Sequence, residues 1–228
     1  MLEALLFGSI ASSALVIGGV AGAFWKPPRY LVAVALAFAS GALITTLAFD
    51  LFEESFNRGG AWLSGIGFLV GAAAFVAADE LLDRHIEGAG GGVSGFVILA
   101  AVTLDGIPEN MALGVSLLHG TGSLALLVAI FASNLPEALG GAVGMRDQER
   151  SRGFVISVWI VTTLLLTAAV VIGSAVLPGA DERLHSLFLA FAGGAVLASL
   201  ADTLMPDAFR EGARWSLSPP RRASFSRS

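Results

Sequence analysis

The sequence has no cysteine, which excludes both a disulfide framework and a thiolate metal site. It also has little charge: 14% of its residues are Asp, Glu, Lys or Arg, against about 25% in a soluble domain. Histidine is scarce, and the three present (His85, His119 and His185) fall in or near segments that read as loops. There is no glycine-rich nucleotide-binding loop and no Ser-His-Asp arrangement, so an enzyme is not expected. Nor is a nucleic-acid partner.

What the chain does have is apolar surface. Of its 228 residues 55% are hydrophobic, and 28 are glycine. The mean hydropathy is +0.80. A soluble fold of this size cannot hide so much apolar surface, and abundant glycine suits close helix–helix approach in lipid. The expected fold is therefore all-α, a polytopic membrane helix bundle whose first partner is the lipid bilayer.

Seven stretches are long enough to span a bilayer: Leu2–Phe24, Tyr30–Phe52, Ala61–Ala78, Val93–Leu118, Ser123–Met145, Phe154–Leu177 and Leu184–Phe209. The first lacks a basic leader, carries Glu3 near its start and exceeds the apolar core of a signal peptide, so it reads as a mature span. Lys26-Pro27-Pro28-Arg29 separates the first two spans. Gly88 to Gly92 reads as a flexible loop, and Gly120-Thr121-Gly122 as a tight turn that makes the fourth and fifth spans antiparallel neighbours. Residues 1–213 form the expected transmembrane domain. The basic, Ser- and Pro-rich segment 214–228 is expected to be a disordered cytoplasmic tail. With the N-terminus outside, eleven of the thirteen Lys and Arg residues fall inside, and Arg58 and Arg183 fall outside. That asymmetry predicts an N-out, C-in topology. The expected location is a bacterial or archaeal plasma membrane.

The chain also repeats itself. Phe38-Ala39-Ser40-Gly41-Ala42 matches Phe191-Ala192-Gly193-Gly194-Ala195, and Leu47-Ala48 matches Leu200-Ala201 at the same offset. Span parity gives these two runs opposite directions, which is the pattern of an inverted-repeat transporter with its site at the repeat interface.

Two further segments say nearly the same thing: Asp105-Gly106-Ile107-Pro108-Glu109-Asn110 and Ser133-Asn134-Leu135-Pro136-Glu137-Ala138. Each sets a Pro-Glu pair within a long apolar run. Asp105 and Glu109 share one helix face, as do Ser133 and Glu137, with Asn134 beside them. Pro108 cannot donate to the carbonyl of Leu104, nor Pro136 to that of Ala132. Each span thus presents a carboxylate and a spare carbonyl oxygen. A divalent cation wants such oxygens, and its charge would offset the desolvation of two acids in lipid.

These paired segments resemble the fourth- and fifth-span signatures of the ZIP (Zrt/Irt-like) metal transporters. In that family the fourth span usually reads His-Asn-x-Pro-Glu-Gly, and the fifth reads His or Gln, Asn or Asp, then x-Pro-Glu-Gly. The run from Phe38 to Glu54 and its seventh-span counterpart also resemble the family. The resemblance implies eight spans in a 3+2+3 arrangement, a metal path between spans four and five, and a homodimer. It makes Glu109 and Glu137 bridging metal ligands. Asp105 and Ser133 then stand where the family has His, or His or Gln, and Asn134 stands in the Asn or Asp position. Gly106 replaces the usual Asn, and Asn110 and Ala138 replace the usual Gly. With no imidazole in the motif the site should select zinc less strongly and suit harder ions such as manganese, though zinc also accepts carboxylates. An eighth span is expected to be absent, since the chain turns basic after Glu211-Gly212.

Asp50 and Asp202, deep in the second and seventh spans, are expected to serve as relay acids for the ion. Glu53, Glu54 and Asp207 read instead as ordinary interfacial acids, and Asp79, Glu80, Asp83, His85 and Glu87 as a solvated face. Trp25, Tyr30, Trp62 and Trp215 read as interfacial anchors. The expected function is transport of a divalent metal (zinc, iron or manganese, as cargo) toward the cytoplasm. The metal set is Asp105, Glu109, Ser133, Asn134 and Glu137, with Asp50 and Asp202 as secondary residues. The alternatives are a proton- or sodium-coupled carrier of a small organic solute, and a non-transporting membrane metal sensor or scaffold.

Overall fold

A computed structural model describes residues 1–88, 95–119, 123–176 and 179–216. Among these the chain is helical and has no strand. The helices are α1 (Leu2–Phe24), α2 (Arg29–Thr46), α3 (Glu54–Gly88), α4 (Gly95–Ser116), α5 (Ser123–Asp147), α6 (Arg152–Val176), α7 (Glu182–Asp202) and α8 (Leu204–Ser216). A π-helical stretch, Leu47–Glu53, joins α2 to α3. Helices dominate because a backbone in lipid has only itself for hydrogen bonding. The glycine-rich loop expected before α4 and the turn expected before α5 lie outside the described residues for the most part.

Five helical stretches are long and apolar enough to cross a membrane, among them Arg29–Arg84 with 56 residues. Laid straight, that stretch would run about 84 Å, nearly three times the hydrocarbon thickness of about 30 Å. It folds back at Gly60, whose φ of 74° and ψ of 173° lie in a region essentially reserved for glycine. With α4 added, the chain makes seven alternating passes, as the sequence predicts. Phe38, Leu69, Val34 and Leu164 are each at least 65% exposed on the outer surface. Such side chains belong against lipid tails.

Contacts along the helices fix their directions. α1 and α5 are parallel: Gly18 meets Ala138, Gly22 meets Ala142, and beyond them Lys26 pairs with Asp147 at 2.7 Å. α1 and α6 are antiparallel, with Thr163 donating to the Ser12 carbonyl at 3.1 Å and the Arg152 guanidinium 4.8 Å from the Phe24 ring centre. α3 runs parallel to α7, where Gly67 meets Ala190 and Gly71 meets the backbone of Phe191. α4 runs parallel to α6, where a Cβ on Gly114 would stand 2.8 Å from the Ser174 nitrogen. One end of the bundle therefore gathers Lys26, Arg29, Arg84, Arg146, Arg150, Arg152 and Arg210. It is called the basic end below. Arg58 and Arg183 lie at the opposite end.

The repeat runs through the packing. Phe38 and Phe191 are 153 positions apart (191 minus 38), and that offset carries α2 onto α7. The neighbours follow: α1 packs on α5 as α6 packs on α4, and α2 packs on α5 as α7 packs on α4. Both repeats are irregular at one register. The π-helical stretch Leu47–Glu53 corresponds to residues 200–206, where the seventh pass breaks at Thr203. The span expected over Leu184–Phe209 is thus two helices, α7 and α8, and α8 packs on the start of α2, with Glu211 by Arg29 and Gly212 by Ala33. Helix α8 reaches Ser216, so the first three residues of the expected tail are helical. Residues 217–228 lie outside the described residues.

Candidate functional site

The two Pro-Glu motifs sit midway along α4 and α5, each continuous through its proline. Glu109 is 6% exposed. Glu137 is enclosed by the bundle except where it faces a cavity, and the acids within electrostatic reach of it are Asp105, Glu109 and Asp207. The motifs' carboxylates therefore share one region rather than lying on opposite flanks. Asp105, one turn before Glu109, also lines the cavity and accepts a hydrogen bond from Ser199 Oγ of α7 at 3.2 Å.

That cavity holds about 510 Å³. It runs from Asp105, Pro136 and Glu137 past the glycine face of α5 (Gly140, Gly141 and Gly144) to Lys26, Arg29 and Arg210 at the basic end. Glycine on that face keeps the passage wide. Gly144 has open space where a Cβ would stand, and at Gly140 a Cβ would meet only Val32, at 3.8 Å.

The remaining expected residues divide. Asn134 is buried, and its Nδ2 points to the Ala11 carbonyl of α1 at a long 3.4 Å. Ser133 Oγ donates to the Ile130 carbonyl of its own helix at 2.9 Å, so its hydroxyl is engaged locally. Asp202 is exposed at the end of α7 and stands within electrostatic reach of Asp105 and Asp79. Asp50 is not brought to the site. It lies in the π-helical stretch, where Glu54 is the charged group acting on it, and its Oδ2 is buried without a partner among the described residues. No three His, Asp or Glu side chains among the described residues converge closely enough to hold a metal ion.

The structure adds residues that sequence reasoning passed over. Asn110 is fully buried. Its Nδ2 donates to the Gly106 carbonyl at 2.8 Å, and its Oδ1 has no partner among the described residues. An acceptor left unpaired in a bundle interior costs about 1–3 kcal/mol, so it is a place where a cation or donor is wanted. The available signal was an amide next to Glu109 within an apolar run. Asp207, read as an interfacial acid, lines the cavity and lies within electrostatic reach of Asp105 and Glu137, while pairing with Arg210 at 3.2 Å. Asp79 is half-buried and lies within reach of Asp105 and Asp202, so part of the expected solvated face turns inward. His185 is buried at the start of α7 with Nδ1 3.2 Å from the Asp181 carbonyl, far along the helix from Ser199 and Asp105. Trp25, Tyr30 and Trp62 are exposed, as interfacial anchors would be.

No protein-family model matches the chain, and no curated protein matches it in sequence.

Proposed function

We propose that this protein is a carrier of divalent metal cations, with zinc, iron or manganese as cargo, bound between the fourth and fifth passes and released at the basic end. The observation that carries this reading is the cavity. It connects Asp105 of the first motif and Glu137 of the second with one end of the bundle; Asp207 lies on its wall, and Asp202 is within electrostatic reach of Asp105. The charge asymmetry makes the basic end cytoplasmic. The resemblance of the two motifs to ZIP signatures supports the same reading and makes Glu109 and Glu137 the principal ligands.

In this scheme a cation arriving from the opposite end is held by Glu109 and Glu137, with Asp105 and the amide oxygens of Asn134 and Asn110 completing an oxygen-rich shell. It then passes along the cavity to the cytoplasm. An all-oxygen shell suits hard ions and tolerates zinc. Metal uptake by cells or proteoliposomes carrying the protein tests the proposal. Uptake should rise over vector controls and be lost in Glu109→Gln and in Glu137→Gln. Unchanged uptake in both variants would reject the site.

One observation favours a second reading. The cavity is large for a bare ion and falls within the usual size of small-molecule pockets, and three ligands do not converge in it among the described residues. A carrier of a small organic cation, using the same acids for charge balance, fits that volume. Elemental analysis of the purified protein separates the two: the metal carrier copurifies a transition metal in a Glu137-dependent amount, and the organic-solute carrier copurifies none.

A further inference from the structure

Positive charge is not spread evenly over the basic end. On one side of it the cations meet carboxylates: Arg29 faces Glu211, Arg84 faces Glu80 and Arg210 faces Asp207. The corner where α5 turns into α6 is different. Residues 146–152 hold Arg146, Arg150 and Arg152 against Asp147 and Glu149. Lys26, at the end of α1, meets Asp147 at 2.7 Å and so engages one of those two acids. The arginines turn to other groups. Arg146 donates to the Arg150 carbonyl, Arg150 lies 5.4 Å from the Phe154 ring centre, and Arg152 lies over the ring of Phe24. With Lys26 counted, the corner carries four cations and two acids.

The same corner heads an apolar seam. Gly19 of α1 meets Trp159 of α6, and Thr163 of α6 bonds the Ser12 carbonyl of α1. The residue after each of Gly19, Trp159 and Thr163 is Val20, Ile160 and Leu164, and all three are exposed. They therefore flank the α1–α6 contact on its outer side. Gly153 shares a helix face with Ile160 and Leu164, at spacings of about two and three turns. It is exposed and has nothing within 4 Å of a Cβ position, so bare backbone lies between Arg152 and the seam. Phe24 and Trp25, exposed at the end of α1, mark this level as the membrane interface.

We infer that this corner binds an anionic phospholipid, its phosphate held by Arg152 over the open face of Gly153 and one acyl chain laid along Val20, Ile160 and Leu164. Arg146 and Arg150 supply the surrounding positive charge. A guanidinium presents paired donors that match phosphate oxygens, and basic side chains at headgroup level are drawn to anionic lipid. The excess of cations selects the charge of the lipid. A zwitterionic lipid offers the same tails without the net charge, and a soluble phosphate offers the charge with nothing for the seam. None of Arg146, Arg150 and Arg152 lines the cavity, so this surface is separate from the carboxylate site and does not depend on what that site carries.

Native mass spectrometry of the detergent-purified full chain, titrated with phosphatidylglycerol or with phosphatidylcholine of the same acyl chains, tests the proposal. The parent is expected to retain one phosphatidylglycerol at least about fivefold more tightly than phosphatidylcholine. Arg152→Gln is expected to weaken phosphatidylglycerol about fivefold and leave phosphatidylcholine unchanged. Gly153→Leu keeps every charge but fills the open face, and it too is expected to weaken phosphatidylglycerol. It also carries the test should Arg152→Gln fail to accumulate. Arg84→Gln removes a cation from the same end of the bundle, away from the corner, and is expected to bind as the parent does. Equal retention of the two lipids by the parent would overturn the proposal, as would equal weakening by Arg152→Gln and Arg84→Gln, or unchanged binding in both corner variants. Displacement of the lipid by an equal concentration of glycerol phosphate would also overturn it, since the corner would then be a site for soluble phosphate.

Discussion

At the residue scale, the chemistry turns on carboxylates that lipid would otherwise exclude. A charged side chain at mid-bilayer costs at least about 2.5 kcal/mol, and Glu109 and Glu137 place two in one region with Asp105 within electrostatic reach of both. Glu109→Gln and Glu137→Gln each keep the shape and remove the charge. Both are expected to reduce metal uptake at least tenfold with little change in protein level, as measured by radiometal accumulation and immunoblot. Ser133→Ala is expected to stay within twofold of the parent, because the hydroxyl of Ser133 is committed to the Ile130 carbonyl. The motif acids were legible in the sequence because a Pro-Glu pair within an apolar run is costly in lipid unless something binds there. Asn110 and Asp207 were not. A polar residue in a pattern does not declare which neighbour it faces, and Asp207 becomes a cavity residue only because the seventh pass breaks at Thr203 and α8 brings it under Asp105. Asp50 is deep in its span but does not line the cavity; it lies in the π-helical stretch, where Glu54 is the charged group acting on it.

At the element scale the bundle depends on close helix contacts at small residues. The repeat supplies a matched pair of sites. Gly194 of α7 lies against the backbone of Phe68 and Ala72 in α3, so any Cβ there collides with main chain. Its counterpart, Gly41 of α2, has nothing within 4 Å of a Cβ position. Gly194→Val is expected to destabilise the protein by about 1–3 kcal/mol through overpacking, and Gly41→Val to be close to neutral. Thermal unfolding in detergent, read by loss of the monodisperse peak, distinguishes them. Equal shifts would mean that the two faces are equally covered. Hydropathy located these elements well, since length and apolarity are what a bilayer demands of a span. It did not reveal their interruptions. The π-helical stretch and the break at Thr203 carry no proline or glycine at their centres, and both fall at one register of the repeat.

At the scale of the whole molecule, the charge pattern and the repeat make one statement about direction. Seven alternating passes put Lys26, Arg29, Arg84, Arg146, Arg150, Arg152 and Arg210 at one end, while Arg58 and Arg183 hold the other. Translocating the first set would carry far more positive charge outward than translocating the second, so the proposed function places the basic end in the cytoplasm. The cavity opens at that same end, so in the proposed orientation it faces the cytoplasm. A reporter fused after Ser228 puts this to a test. Green fluorescent protein, which matures in the cytoplasm, should fluoresce, and alkaline phosphatase, which needs export to form its disulfides, should remain inactive. The reverse result would turn the protein over in the membrane. The cavity would then face outward, and the acids from Asp105 through Asp207 would become the capture path rather than the release path, with Glu109 and Glu137 still as the ligands.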